Sequence, residues 1–267
     1  MKTIIKSLLA MVLLSSSLGA LAETYEENLL RKAQQGDAYA QYRMGEGACD
    51  NGDYYAALDW YEKAAKQAYG KDNEEWQQYQ LARRYEDGMC IGAKTEQGSP
   101  NYLKALEWYE RLAYNPNPKY LGFHYYAKLS IAEIYIFEKG GIKRDGAIAK
   151  SLYTELANIP DNVIQQNNDG FIQETRGNAR YRLAIMHYYG EFATQNYQLA
   201  YQWASKAVSD NNPYAAPLLA VLLYNGWGVK QDKTKGLELV EKACDKFAIE
   251  EACELHKQMK ANLPVKY

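Results

Sequence analysis

A nine-residue phrase recurs along this chain and constrains its fold more than any other feature. ALDWYEKAA at 57–65 returns as ALEWYERLA at 105–113 and as AYQWASKAV at 200–208. Weaker copies are AKSLYTELA at 149–157 and GLELVEKAC at 236–244. The marker positions Trp60, Trp108, Leu152, Trp203 and Leu239 lie 48, 44, 51 and 36 residues apart. Each copy spaces apolar residues three and four apart, so each reads as an amphipathic helix. Upstream of each copy lies a second helical pattern: 40–52, 79–88, 127–141, 179–190 and 215–226. In it a small residue follows the central apolar one: Met44-Gly45, Leu81-Ala82, Ile131-Ala132, Leu183-Ala184, Leu219-Ala220. The small residue lets two helices approach closely. A glycine closes most copies, as expected just past a helix C-terminus. The pattern is a helix–turn–helix unit repeated five times.

The first 22 residues stand apart from this pattern. Lys2 and Lys6 precede the apolar core LLAMVLL (8–14), and Ala20-Leu21-Ala22 supplies a small-x-small cleavage site before Glu23. Residues 1–22 are therefore expected to be a cleaved secretory signal, leaving a mature chain of 23–267. Ser15 to Ser17 and Gly19 interrupt the core too early for a membrane span, which needs about 20 apolar residues. No cysteine precedes Cys49, which excludes lipid modification at the cleavage site. Loss of Lys2 and Lys6 moves the formal charge from −2 to −4. Without a basic excess or a Lys/Arg run, nucleic acid is not expected as a partner. The apolar segment 216–224 is too short to span a bilayer. A soluble periplasmic or secreted protein is expected. In an oxidising compartment four cysteines default to disulfides, and three pairings are open.

The repeat unit resembles that of the Sel1-like repeat proteins, a branch of the tetratricopeptide-like α-solenoids. The fifth copy carries Ala215, Leu219, Ala220, Gly226, Gly228, Val229, Asp232 and Lys235 in register with that family's unit, and departs at Leu223, Gly236 and Leu239. The first copy supplies GDAYAQYRMG and ALDWYEKAA, and the second supplies Leu81, Tyr85 and Gly88. The third keeps a glycine-to-aspartate linker in KGGIKRDGAIAK. The resemblance implies an all-α fold, a right-handed α-solenoid of about five repeats covering 23–267. The Pro/Gly/Asn-rich stretches 113–126 and 159–174 then read as loops inserted between units, either on a binding face or as tolerated surface excursions.

Position in the repeats then selects among the cysteine pairings. Cys49 and Cys90 end the first helices of consecutive units, and stacked units bring such ends together. Cys244 and Cys253 flank the end of the last repeat helix, a short spacing also found in secreted members of the family. Pairs 49–90 and 244–253 are expected, the second clamping a terminal unit that has only one neighbour.

Motifs for chemistry are scarce. His124, His187 and His256 are far apart, and neither HExxH nor CxxC occurs, so no metal or cofactor is expected. His187, at an aromatic position of its repeat, reads as a packed residue. No mature-chain serine sits in a G-x-S-x-G or S-x-x-K context. Glu62, Glu107, Glu110 and Glu241 read as solvated charges beside lysines and arginines. The stretch NGWGVKQD (225–232) follows an apolar helix rather than a strand and lacks phosphate-loop spacing. It reads as a turn, with Asp232 capping the next helix. Catalysis is not expected. The 25 tyrosines against five phenylalanines leave one signal. The pairs Tyr125-Tyr126 and Tyr188-Tyr189 fall outside the repeat-defining slots and are candidates for contacting a partner, with packing as the alternative.

Stacked helical pairs produce extended surfaces that hold other proteins. The resemblance implies such a scaffold, and most specifically a periplasmic immunity protein that sterically blocks a toxin delivered by type VI secretion, such as a phospholipase. The alternatives are a periplasmic regulator or adaptor of envelope signalling, and a secreted factor meeting host proteins. A β-lactam-binding hydrolase is a further family-derived reading, and the missing nucleophile pattern argues against it.

Overall fold

A computed structural model describes residues 24–66, 74–93 and 96–267, so the expected signal segment 1–22 lies outside the described residues. Among the described residues the architecture is all-α apart from a short antiparallel hairpin with two residues in each strand, Gly92–Ala93 with Glu96–Gln97. Helix α1 (Tyr25–Gln34) comes first among the described residues. Five contacting helix pairs then follow in chain order. They are α2 (Ala38–Asp50) with α3 (Tyr54–Lys66), and α4 (Glu74–Asp87) with α5 (Tyr102–Ala113). Next come α6 (Leu121–Ile136) with α7 (Gly146–Ala157), α9 (Gly170–Tyr189) with α10 (Tyr197–Ser209), and α11 (Ala215–Asn225) with α12 (Lys233–Phe247). A short α8 (Asp161–Asn167) lies between the third and fourth pairs, and α13 (Glu250–Lys260) closes the stack. The result is an α-solenoid of five repeats.

One joint, repeated five times, makes each pair. The second helix always begins at an Asp or Asn whose side-chain oxygen accepts a first-turn backbone N–H. Asp53 takes Ala56 (3.0 Å), Asn101 takes Lys104 (3.1 Å), Asp145 takes Ile148 (3.0 Å), Asn196 takes Leu199 (3.0 Å) and Asp232 takes Lys235 (2.9 Å). The backbone N–H of the same five residues donates back to the end of the first helix, to the carbonyls of Ala48, Tyr85, Tyr135, His187 and Leu223. Each cap thus satisfies an orphan donor of one helix and an orphan acceptor of the other.

Between the helices the chain passes through left-handed backbone. Gly88, Glu138, Gly190 and Gly226 occupy one such position, with φ between 52° and 77°. Two residues further on, Cys90, Gly140, Phe192 and Gly228 occupy another, with φ between 55° and 71°. This second position also docks units together. A Cβ on Gly140 would stand 2.6 Å from Tyr102 Cδ2 at the start of the preceding unit's second helix, and one on Gly228 would overlap the backbone of Tyr197 and Gln198. At Phe192 the sizes are reversed, and its ring covers Gly146 so closely that no Cβ fits there.

The core repeats too. The small residues Gly45, Ala82, Ala132, Ala184 and Ala220 are all buried, as are Ala57, Ala105, Ala149, Ala200 and Gly236 on the facing helices. One turn on from the latter stand Tyr61, Tyr109, Tyr153, Ala204 and Val240, also buried. Gly45 is dictated by Tyr61, whose Cε1 would lie 2.5 Å from an added Cβ. On the outer faces Lys63, Arg111 and Lys206 cover Trp60, Trp108 and Trp203, each three residues on, at 4.6–4.7 Å.

The first expected insertion loop is half helical and the second largely so. Helix α6 starts at Leu121, inside the first. In the second, Pro160 opens α8, left-handed Asn168 ends it, and Asp169 caps α9 by accepting from Phe171 N at 2.9 Å. Val163, Ile164 and buried Ile172 pack on the core, which is why this polar stretch folds. A buried ion network anchors it further. Arg176 grips Asp210 through Nε (3.1 Å) and Nη2 (2.6 Å), and its Nη1 donates to the Ile159 carbonyl and to Asp161. Arg180 donates to the same Asp210 at 2.7 Å and to the Ala157 carbonyl. Burial opposes the Arg176 charge, but the two carboxylates outweigh it and raise its pKa.

Candidate interaction surface

The two ends of the solenoid present the same helix face in different states. At the C-terminal end that face is filled by the chain itself. After α13 the tail turns back across α11 and α9. Asn225 donates to the Val265 carbonyl (2.9 Å), Tyr267 N donates to the Tyr188 hydroxyl (3.0 Å), and the Tyr189 hydroxyl donates to the Tyr267 carbonyl (2.7 Å). The Tyr267 and Tyr181 hydroxyls share a short hydrogen bond. The tail is held by tyrosine hydroxyls and by the Tyr188 ring, which meets the Tyr267 ring edge-on at 6.1 Å.

This tail changes the reading of the aromatic pairs. Tyr188 is only 5% exposed and packs against Tyr189, Tyr197, Trp227 and Tyr267. It is therefore packed in the core, the alternative reading for this pair. Tyr189 is 54% exposed, although its hydroxyl is engaged by the tail. Tyr125 and Tyr126 are half-buried in α6. Tyr126 meets Tyr79 edge-on (5.2 Å) and Phe171 (6.1 Å), which joins units two to four, and Tyr125 lies against His124 (5.2 Å). Tyr189, and in part Tyr125 and Tyr126, remain as outward aromatic surface from the two pairs. His187 is half-buried, with its ring at the Thr194 carbonyl (3.3 Å). Glu62 is not merely solvated. It accepts from the Tyr85 hydroxyl at 2.6 Å and so ties the first unit to the second. Glu86 similarly accepts from Tyr109 (2.7 Å) and from Lys139 (2.8 Å).

At the N-terminal end the described residues leave the face open. A cleft of about 940 Å³ lies between α1, α2 and the end of α4. Its floor is Arg84, stacked on the Tyr61 ring with 4.1 Å to the centroid and donating from Nη2 to the Tyr42 hydroxyl at 3.1 Å. Tyr42 in turn meets Trp76 edge-on at 4.4 Å. Burial raises the pKa of both tyrosines, so both hydroxyls keep their protons. Met44 and Met89 supply apolar wall, and Glu46, paired with Arg43, sits at the rim. Sequence reasoning missed this cleft, because its floor and walls come from separate units.

The four cysteines meet in two pairs. Cys49 joins Cys90 with Cα atoms 5.3 Å apart, and Cys244 joins Cys253 at 4.7 Å. The first bridge is itself part of the cleft wall and pins α2 to the loop after α4. Among the described residues no group of three or more His, Cys, Asp or Glu is placed to hold a metal ion. No helix among them is long and apolar enough to cross a membrane.

Comparison with known proteins follows the same units. The Sel1 repeat profile matches residues 38–69, 78–117, 124–158, 177–212 and 213–246, one match for each helix pair. A Sel1 repeat protein from Oxalobacter formigenes superposes with a TM-score of 0.61 at 18% identity, covering 92% of this chain and 87% of that one. At that identity the likeness concerns the fold. A protective antigen present in uropathogenic Escherichia coli strains, displaying an SLR fold, aligns at 19% identity and a TM-score of 0.35, over 89% of this chain and 60% of its own. With five profile matches coinciding with five structurally equivalent joints, this chain belongs to the Sel1 repeat family.

Proposed function

We propose that this protein is exported after cleavage following Ala22 and works in the periplasm as a scaffold that holds another protein. Within that role we read it as an immunity protein that occludes the active site of a toxin delivered by type VI secretion. The observation that carries the scaffold reading is the open cleft of the first unit, built from a stacked helix pair and braced by a disulfide. Two bridges favour an oxidising compartment. Inhibition on this reading is steric, because the surface offers shape and hydrogen-bonding groups.

The test has two arms. Tagged protein recovered from the periplasm, with its N-terminus sequenced, is expected to begin at Glu23 and to carry one soluble effector at one-to-one stoichiometry. Deleting the gene is expected to make cells sensitive to toxin-delivering siblings. Recovery of a membrane sensor instead would move the protein to the adaptor class. No bound effector together with unchanged survival would end the immunity reading.

A further inference from the structure

The first-unit cleft contains two buried polar atoms that the described residues leave unanswered. Among the described residues, the Tyr61 hydroxyl, on a side chain 1% exposed, and Arg84 Nε both lack a hydrogen-bond partner. Buried polar groups are ordinarily satisfied, and each exception calls for a reason. Both residues line the same cleft. Arg84 is not neutralised either. Among the described residues no carboxylate pairs with it, whereas its neighbours Arg83 and Arg43 are paired with Asp87 and Glu46. A guanidinium with a free N–H edge beside a phenol O–H is a donor set, and what it lacks is an anionic acceptor.

The other end of the molecule shows what kind of object lies on this face. Counted from the small residue of each first helix, the tail covers Tyr188 and Tyr189 in the fourth unit, and Tyr188 in turn meets Trp227 of the fifth. The matching positions in the first and second units are Cys49, Asp50 and Met89, and all three line the open cleft. One face, three units apart, therefore holds a non-helical chain segment at one end and, among the described residues, an open cleft at the other.

We propose that the first-unit cleft seats an extended segment of a partner protein and receives one of its Asp or Glu carboxylates on Arg84 and Tyr61. This deepens the scaffold reading and rests on it. The carboxylate accepts from Arg84 Nε and from the Tyr61 hydroxyl. Apolar residues flanking the acid lie against Met44, Met89 and Trp60. The Cys49–Cys90 bridge holds two walls of the cleft at fixed separation, so the seat is formed only in oxidised protein.

The probe is an acetyl-Leu-Glu-Leu-amide peptide, with the Gln peptide as control, titrated into oxidised full-length protein while the Arg84 side-chain N–H resonance is followed by NMR. The Glu peptide is expected to shift Arg84 Nε, with the Gln peptide at least tenfold weaker. Arg84→Gln should lose the effect, while Arg84→Lys should restore part of it and Tyr61→Phe should weaken it several-fold. Circular dichroism of each variant confirms folding, and if Arg84→Gln fails to fold, the Lys variant and the Gln peptide still decide. Equal response to both peptides, a response centred on Arg43, or no response would overturn the proposal. So would an Arg84-dependent dimer in sedimentation, which would make the occupant a second copy. Partner capture that survives Arg84→Gln would overturn this seat while leaving the scaffold reading intact.

Discussion

Replacing Gly228 with alanine tests the joint that stacks one unit on the next. Two effects add at this residue. Its φ of 71° lies where an L-residue costs about 1–2 kcal/mol. The new methyl would also overlap the backbone of Tyr197 and Gln198, at the first turn of α10. Overpacking costs about 1–3 kcal/mol, and the upper end applies where the obstacle is backbone that cannot rotate away. Loss of chain entropy in the unfolded state returns about 0.4–1 kcal/mol. The net expectation is a destabilisation of roughly 3 kcal/mol. Gly52→Ala is the internal control, because Gly52 has φ of 75° but no atom of the described residues within 4 Å of an added Cβ. It should lose only about 1 kcal/mol from its backbone conformation. Urea unfolding of oxidised protein, followed by far-UV circular dichroism, measures both. With a slope of about 3 kcal/mol per molar, Gly228→Ala should lower the midpoint by about 1 M. Hydrogen exchange should show lost protection centred on the start of α10 and on α11. If Gly228→Ala falls no further than Gly52→Ala, the loop is not a stacking contact and the reasoning fails.

Three further outcomes follow from the same geometry. Asp210→Ala leaves the Arg176 and Arg180 guanidinium groups without their shared carboxylate and should cost about 3–5 kcal/mol in chemical denaturation, with α8 and the start of α9 exchanging first. Removing the Cys49–Cys90 bridge, which spans 41 residues, should cost about 4 kcal/mol by loop-closure entropy, against about 3 kcal/mol for the nine-residue Cys244–Cys253 span, and paired Cys→Ser melts rank the two. Burial, with help from Lys128, holds the His124 pKa below its usual 6.5, so the unfolded chain takes the proton first. Stability relative to His124→Asn should therefore be constant above about pH 6.5 and decline as pH falls below it, as read from paired melts across pH 5–8.

The second helices were legible almost residue by residue, because their apolar spacing and capping residues are local signals. Asp145 and Asp232 were visible as linkers for that reason, and the structure extends the same role to Asp53, Asn101 and Asn196. The left-handed positions were only partly legible. Glycine marks them in some units, but Glu138, Cys90 and Phe192 fill them in others, because the surrounding joint enforces the conformation. Helix α8 was hidden by its polar sequence, since its support comes from Arg176 and the core beneath it. The burial of Tyr188 was invisible for a related reason. It depends on a tail 79 residues downstream that carries no periodic pattern. The cleft was beyond sequence reasoning altogether, because Arg84 reaches Tyr42 across 42 residues and becomes its floor only once two units stack.

Photo-crosslinking in cells tests the central claim, that the open first-unit face holds another protein, more directly than any other measurement. A benzoyl-phenylalanine placed at Met89 on the cleft wall is compared with one at Leu103 or Ile148, exposed residues on the second helices of units two and three. The account predicts a single discrete adduct from position 89 in cells making the partner, lost when the Cys49–Cys90 bridge is removed and absent from positions 103 and 148. Adducts of equal yield from all three positions, or none from position 89 while the partner is bound, would contradict it.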